Sequence, residues 1–371
     1  MDKKIKVLWV TNAFGCGGAE RQMLYMYDIM QKRCNFDITI LYYAKVGDEL
    51  NIDGVKTVFV DKAKIGKVNT VRQIVRFIKD NDIDIVHAFG GCSANIYGRL
   101  GAAFSKKAVP VGAMLGKKHF VSKPVALANS LLNLFGNWWT VNNLELIPIL
   151  KKDLAFINGK RVKMLHNGFI SADAVNYHLD ERTQYDEDKK DNFIFTVVGR
   201  LQPVKNYPLF LKAAAQIAKK HENVRFWVIG NGPEAEKLQA LAKELDIEEK
   251  VRFWGYRTDV DIAMSRTDVF VQTSFTEGSP NTVAEAMRAS KPIITTNSTD
   301  YSEMVDQGKN GYVVGSDRLE QLVEAMEAML ARTEGELVAA GKRSYELFDK
   351  YFLDAHVAAE FEAFYKEILD K

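Results

Sequence analysis

Two glutamates, Glu277 and Glu285 in the stretch FTEGSPNTVAEAMRASKP (275–292), have the plainest chemical use in this sequence. Ser279 is a good helix N-cap, Pro280 suits the first helical position and Pro292 ends the periodic run, so a helix is predicted to begin between the two carboxylates. Glu285 is then expected inside that helix, about 9 Å along its axis, with Glu277 in the turn before it. The first N–H groups, near Asn281, Thr282 and Val283, and the positive end of the helix dipole offer a place for phosphate. A ligand with phosphate in its middle and a hydroxyl-rich ring at each end fits this ladder, which is the outline of a nucleotide-sugar.

Such side chains need strands that end in loops. Strand patterns run over 5–11, 36–43, 55–60, 83–88, 108–114, 138–141 and 162–165 in the first part of the chain. In the second they run over 193–198, 224–229, 251–254, 269–273, 292–296 and 311–314. Helical stretches between them predict an α/β fold with two Rossmann-like, doubly wound parallel sheets, whose ligands bind past the carboxyl ends of the strands. The loop NAFGCGG (12–18) after the first strand departs from the dinucleotide fingerprint, because Glu20 occupies the place of its third glycine. The second strand is followed by Ala44 and Lys45, not by an acidic residue to hold a cofactor ribose, so a nicotinamide enzyme is disfavoured. His87, in DIVHAFGG, is expected at a strand end and is a site candidate. Asp82-Ile-Asp84 precedes its strand and Asp259-Val-Asp261 is placed to cap a helix, so neither D-x-D is expected to bind metal.

At 371 residues, 47% hydrophobic and 26% charged, the chain suits two ordinary globular domains. No apolar run approaches the roughly 20 residues of a membrane span, and the N-terminus reads as a first strand, not an export signal. Cys16, Cys34 and Cys92 form no C-x-x-C pair or disulfide-like set, so a reducing cytoplasm is expected. The net charge of +2 hides a division: residues 1–171 hold 25 Lys/Arg against 13 Asp/Glu, the remainder 25 against 35. The switch falls in the polar run 172–192, which lacks periodicity and reads as a linker. Residues 125–139 are apolar nearly all round and follow Lys117, Lys118 and Lys123; they read as a core helix, or as a membrane-facing one flanked by basic residues.

EGSPNTVAEAM (277–287) resembles the E-x7-E signature of the retaining family-4 glycosyltransferases, also called group 1, of the GT-B fold. Further segments resemble the same family in order: GGAER (17–21), DIVH (84–87), WTVNN (139–143), HNGF (166–169) and GRLQPVKN (199–206), so the likeness spans residues 5 to about 368. It implies an acceptor-side domain over 1–171, joined by a C-terminal helix within 351–371, a linker at 172–192 and a donor domain over 193–350. Glu277, Arg200 and Lys205 would be catalytic; Gly17, Gly18, Gly230, Gly255, Gly278, Asn281, Thr282 and Glu285 would bind donor. His87, Lys117 and His119 are acceptor-side candidates, since the family's histidine after the fifth strand is replaced here at or next to Gly116. The implied reaction moves a hexose, with retention and without metal or cofactor, from a UDP-sugar, or a GDP-sugar, to a glycan or polyprenyl-linked acceptor. EGSPN resembles bacterial capsule and exopolysaccharide transferases, which suggests action at the inner face of the cytoplasmic membrane, with peripheral contact to anionic lipid and no nucleic acid partner. Two rival readings are another sugar-nucleotide enzyme of this fold, such as a hydrolysing epimerase, and a non-catalytic nucleotide-sugar-binding partner.

Overall fold

The computed structural model describes residues 4–15, 18–46, 52–89, 91–117, 122–136, 138–175, 177–179 and 181–370. The chain forms two compact units, Met1–Phe169 with Asp354–Lys371, and Ile170–Leu353.

The first unit holds β1 (Ile5–Thr11), β2 (Phe36–Tyr42), β3 (Thr57–Phe59), β4 (Ile85–Ala88), β5 (Val109–Met114), β6 (Trp138–Val141) and β7 (Val162–Met164) in one sheet of order β3-β2-β1-β4-β5-β6-β7. All its pairings are parallel. Strands covered by helices on both faces need continuous apolar runs, and Val7, Leu8, Trp9 and Val10 of β1 are fully buried. Burying a side chain of this size contributes about 1.5–3 kcal/mol. Sequence order reverses between β1 and β4, and that switch point is where His87 lies, opposite Trp9 in the register. The helix Asp354–Leu369 belongs to this unit and buries Phe361, Phe364 and Tyr365 in its core.

The second unit holds β8 (Phe193–Val198), β9 (Val224–Ile229), β10 (Val251–Gly255), β11 (Val269–Gln272), β12 (Ile293–Thr296) and β13 (Gly311–Val314), again all parallel, in the order β10-β9-β8-β11-β12-β13. Its reversal falls between β8 and β11. The strands that precede Arg200 and Glu277 are therefore neighbours, which opens the crevice where ligands of such sheets bind.

Residues 172–192, expected as a linker, are part of the second unit. Tyr185 is fully buried against Trp227 and Trp254, and its hydroxyl donates to Asp259 Oδ1 at 3.0 Å. Arg266 clamps the same run, donating to the carbonyls of Tyr177, His178 and Glu181 and to Asp186 Oδ1. Polar composition hid a segment held by side-chain-to-backbone hydrogen bonds in place of an apolar stripe. Asp259 likewise stands at the start of the helix Val260–Arg266 without capping it, because its carboxylate is engaged by Arg257 at 2.7–2.8 Å and by Tyr185. The apolar run expected over 125–139 is helical only over Lys123–Leu132 and turns Asn129 and Ser130 inward.

Candidate donor site

Three loops at the carboxyl ends of β8, β9 and β10 are stitched backbone to backbone. Gly199 N–H donates to the Ile229 carbonyl at 2.9 Å, Gly230 N–H to the Gly255 carbonyl at 2.7 Å, and Leu201 N–H to the Asn231 carbonyl at 3.0 Å. This closeness requires glycine at position 230: φ is +137°, and a Cβ there would fall 2.0 Å from the Gly199 carbonyl oxygen. The packed loops set the height of Arg200, which is exposed, and of the turn Pro203–Lys205 that follows.

That turn reaches the loop after β11. Phe275 N–H donates to the Val204 carbonyl at 2.9 Å and Thr273 Oγ1 to the Lys205 carbonyl at 3.0 Å. From the other side, Glu277 N–H donates to the Ser298 carbonyl at 3.2 Å and Thr299 Oγ1 to the Gly278 carbonyl at 3.0 Å. Held from both flanks, Lys205 Nζ donates to Glu277 Oε1 at 2.7 Å, with side chains only 24% and 14% exposed. A charge-assisted hydrogen bond this shielded contributes about 1.5–3 kcal/mol. The two residues assigned to diphosphate and sugar are thus in direct contact, across 72 positions of sequence.

Sequence reasoning missed Tyr207, which opens the helix Tyr207–Ala218. Its hydroxyl lies under Gly199, 3.1 Å from where a Cβ would stand, beside Lys205 Cε. Burial and the Glu277 carboxylate push this phenol far above its ordinary value, so it stays a protonated donor beside the ion pair. Only the tyrosine following Lys205-Asn206 marked it in the sequence, and that signal says nothing of where the hydroxyl points.

The helix after Glu277 spans Asn281–Arg288, with Pro280 at the N-cap position, one residue later than the expected cap Ser279. Pro280 has φ −78° and ψ 97°, and its carbonyl accepts from Val283 N–H at 3.0 Å and Ala284 N–H at 3.4 Å. Asn281 and Thr282 are therefore the residues at the mouth of this helix, and Val283 N–H, expected to be open to ligand, is already used. Glu285, half-buried, is the fifth residue of the helix, about 6 Å along its axis and not 9 Å.

Of the acceptor-side candidates, His87 and Lys117 are among the described residues. His87 is fully buried between Tyr365, whose hydroxyl lies 2.8 Å from Nδ1, and Thr140, whose Oγ1 lies 2.8 Å from Nε2. Trp9 Nε1 donates to that same Tyr365 oxygen at 3.0 Å. Tyr365 must then donate onward to Nδ1, leaving Nε2–H to donate to Thr140. Burial lowers the imidazole pKa to about 3. His87 is a core residue that ties the C-terminal helix to the sheet, with both ring nitrogens engaged by Tyr365 and Thr140. Lys117 pairs with Glu145 at 2.6 Å, while the space next to Gly116 holds no atom within 4 Å of a would-be Cβ, among the described residues. Gly17 and His119 lie outside the described residues, and Gly18 is the first residue of the helix Gly18–Arg33.

Residues 180–346, nearly all of the second unit, match the model of the family described as glycosyl transferases group 1. Over 328 residues the chain is 26% identical to alpha-monoglucosyldiacylglycerol synthase of Acholeplasma laidlawii, covering 81% of this chain and 79% of that one. Over 342 residues it is 24% identical to the Escherichia coli UDP-Gal:alpha-D-GlcNAc-diphosphoundecaprenol alpha-1,3-galactosyltransferase, covering 87% of each. Its fold superposes on the crystal structure of Anabaena HepE in complex with UDP with a TM-score of 0.82 at 18% identity, over 98% of this chain and all of that one. The glycine-stitched loops, the cations and the E-x7-E helix all lie in the matched stretch: the second unit carries the glycosyl transferases group 1 domain, and the chain has the two-sheet GT-B fold.

Proposed function

We propose that the protein is a retaining, metal-independent hexosyltransferase that uses a UDP-sugar and acts on a lipid-linked glycan acceptor at the inner face of the cytoplasmic membrane. The observation that carries this reading is the contact between Lys205 and Glu277 at the β8/β11 switch point, with Arg200 exposed on the same loop. Arg200 and Lys205 hold the diphosphate and stabilise the charge it gains on leaving. Glu277 hydrogen-bonds hydroxyls of the donor hexose, and Glu285, the fifth residue of the Asn281–Arg288 helix, binds the ribose further along the ligand. Pairing with Glu277 keeps Lys205 extended toward the sugar–phosphate junction, so cation and carboxylate are positioned before donor arrives, which lowers the cost of ordering them. With no carboxylate assigned as a nucleophile, retention follows from attack on the face the diphosphate leaves, the diphosphate taking the acceptor proton.

A UDP donor and a lipid-linked acceptor are supported by the relatives: HepE was also solved with UDP-glucose, and the two curated enzymes are named for a diacylglycerol product and a diphosphoundecaprenol substrate. Calorimetric titration of UDP, GDP and ADP, then turnover of UDP-hexose with a polyprenyl diphosphate sugar, tests the reading. Preferred binding of UDP and a product that keeps the donor's anomeric configuration support it. Donor consumption without transfer indicates the epimerase-type alternative, binding without any turnover a non-catalytic partner, and an inverted product refutes retention.

A further inference from the structure

The helix Lys123–Leu132 and the turn after it are built inside out. Asn129, Ser130 and Asn133 are buried, and the fully buried Arg99 donates to the Asn129 carbonyl, to Asn133 Oδ1 at 2.6 Å and to the Gly136 carbonyl at 2.8 Å. A polar network anchors the inner face, and the outer face carries the large apolar side chains: Leu127, Leu131, Leu134 and Phe135 are 49–67% exposed. Their spacing puts them on one side of the helical turn. Phe156 joins them, because the preceding Ala155 is bonded to this helix on both sides, its N–H donating to Ser130 Oγ at 2.9 Å and its carbonyl accepting from Asn133 Nδ2 at 2.7 Å. Phe156 is 59% exposed and sits at φ +60°, a strained conformation for a bulky residue. Five large apolar groups held outward by a buried polar scaffold form a surface that water does not favour.

Charge says what covers it. Residues 101–171 hold ten Lys/Arg and two Asp/Glu, and Lys123, Lys151, Lys152 and Lys160 are exposed on the segments that carry the apolar groups. A second copy would bring like charges together across the contact, whereas an anionic headgroup layer attracts the lysines while the leucines and phenylalanines enter the acyl boundary. We infer that this face docks the first unit on an anionic lipid bilayer. The docking gives a soluble-donor enzyme access to acceptor held in the membrane, and in that purpose it rests on the proposed lipid-linked acceptor. None of the described helices is long and apolar enough to cross a membrane.

Co-sedimentation of the full chain with phosphatidylglycerol vesicles tests the inference, with phosphatidylcholine vesicles as the neutral control. The wild type pellets with the anionic vesicles and releases at high salt. Leu131→Ser with Phe135→Ser, both at exposed positions, lowers the partition at least tenfold, and Lys151→Glu with Lys152→Glu lowers it further at low salt. Val338→Ser, at an equally exposed apolar position of the second unit, changes nothing. UDP titration and thermal unfolding certify that each variant is folded. Wild type that ignores anionic vesicles, binds neutral ones equally, or forms a dimer that Leu131→Ser with Phe135→Ser dissolves overturns the inference. Transfer to a water-soluble acceptor analogue without vesicle binding sinks this inference alone; vesicle binding without any transfer sinks the transferase reading alone.

Discussion

Lys205→Ala is the most informative single change. In the wild type Lys205 Nζ is 2.7 Å from Glu277 Oε1, with about three quarters of its side chain shielded from water, so screening by solvent is limited. On the proposed function, removing it deletes a charge-assisted contact to the donor diphosphate of about 1.5–3 kcal/mol, which at about 1.4 kcal/mol per tenfold should weaken UDP binding roughly 10- to 140-fold. It also strips Glu277 of its partner, so the carboxylate proposed to face the sugar is less ordered and no longer neutralised against the incoming phosphate charge. Glu277→Gln is the matched control: the amide oxygen still accepts from Lys205, so UDP affinity stays within a few-fold while turnover of UDP-hexose falls far more. Calorimetry with UDP on the two single variants and the double variant closes the cycle, and neighbours in contact should be non-additive by at least about 0.5 kcal/mol. UDP affinity unchanged in a folded Lys205→Ala variant would refute the assignment of this loop to diphosphate. Equal loss of UDP affinity and turnover in Glu277→Gln would move that carboxylate away from the sugar.

Gly230→Ala should destabilise the second unit by more than the roughly 1–3 kcal/mol of backbone strain alone, because its Cβ would meet the Gly199 carbonyl oxygen at 2.0 Å; a lowered urea midpoint together with lost UDP binding is the expected pair. His87 contributes a pH dependence with a definite sign. Its folded pKa of about 3 lies below the ordinary 6.5, so the folded state refuses a proton that the unfolded state takes. Stability from this group is complete above pH 6.5 and falls at about 1.4 kcal/mol per unit as pH drops toward 3. The difference in urea midpoint between wild type and His87→Gln should shrink over that range, and a constant difference would show that His87 is not held neutral. On the proposal that Arg200 and Lys205 carry the neutralising charge, transfer activity should persist in excess EDTA; complete, magnesium-reversible loss would overturn the metal-free mechanism.

The sequence by itself determined the two doubly wound sheets, because a strand buried on both faces must be an unbroken apolar run and such runs are visible one at a time. Val7–Val10 and 193–198 announce themselves without knowledge of their neighbours. Local punctuation made much of the candidate site's framework legible too: the glycines at the ends of β8 to β10 and the proline-bounded helix after Glu277 are properties of short segments. Helix boundaries slipped by one residue at Ser279, where Pro280 takes the cap position. What only the tertiary structure decided are the facts that depend on pairs distant in sequence. Lys205 meeting Glu277, and Tyr207 under Gly199, follow from β8 and β11 becoming neighbours at the point where strand order reverses. His87 reads as a strand-end histidine until Tyr365, 278 positions away, closes over it. The polar run 172–192 reads as a linker until Arg266 gathers its carbonyls. The helix Lys123–Leu132 reads as apolar all round until Arg99 claims its few polar side chains for the inside and leaves the leucines facing out.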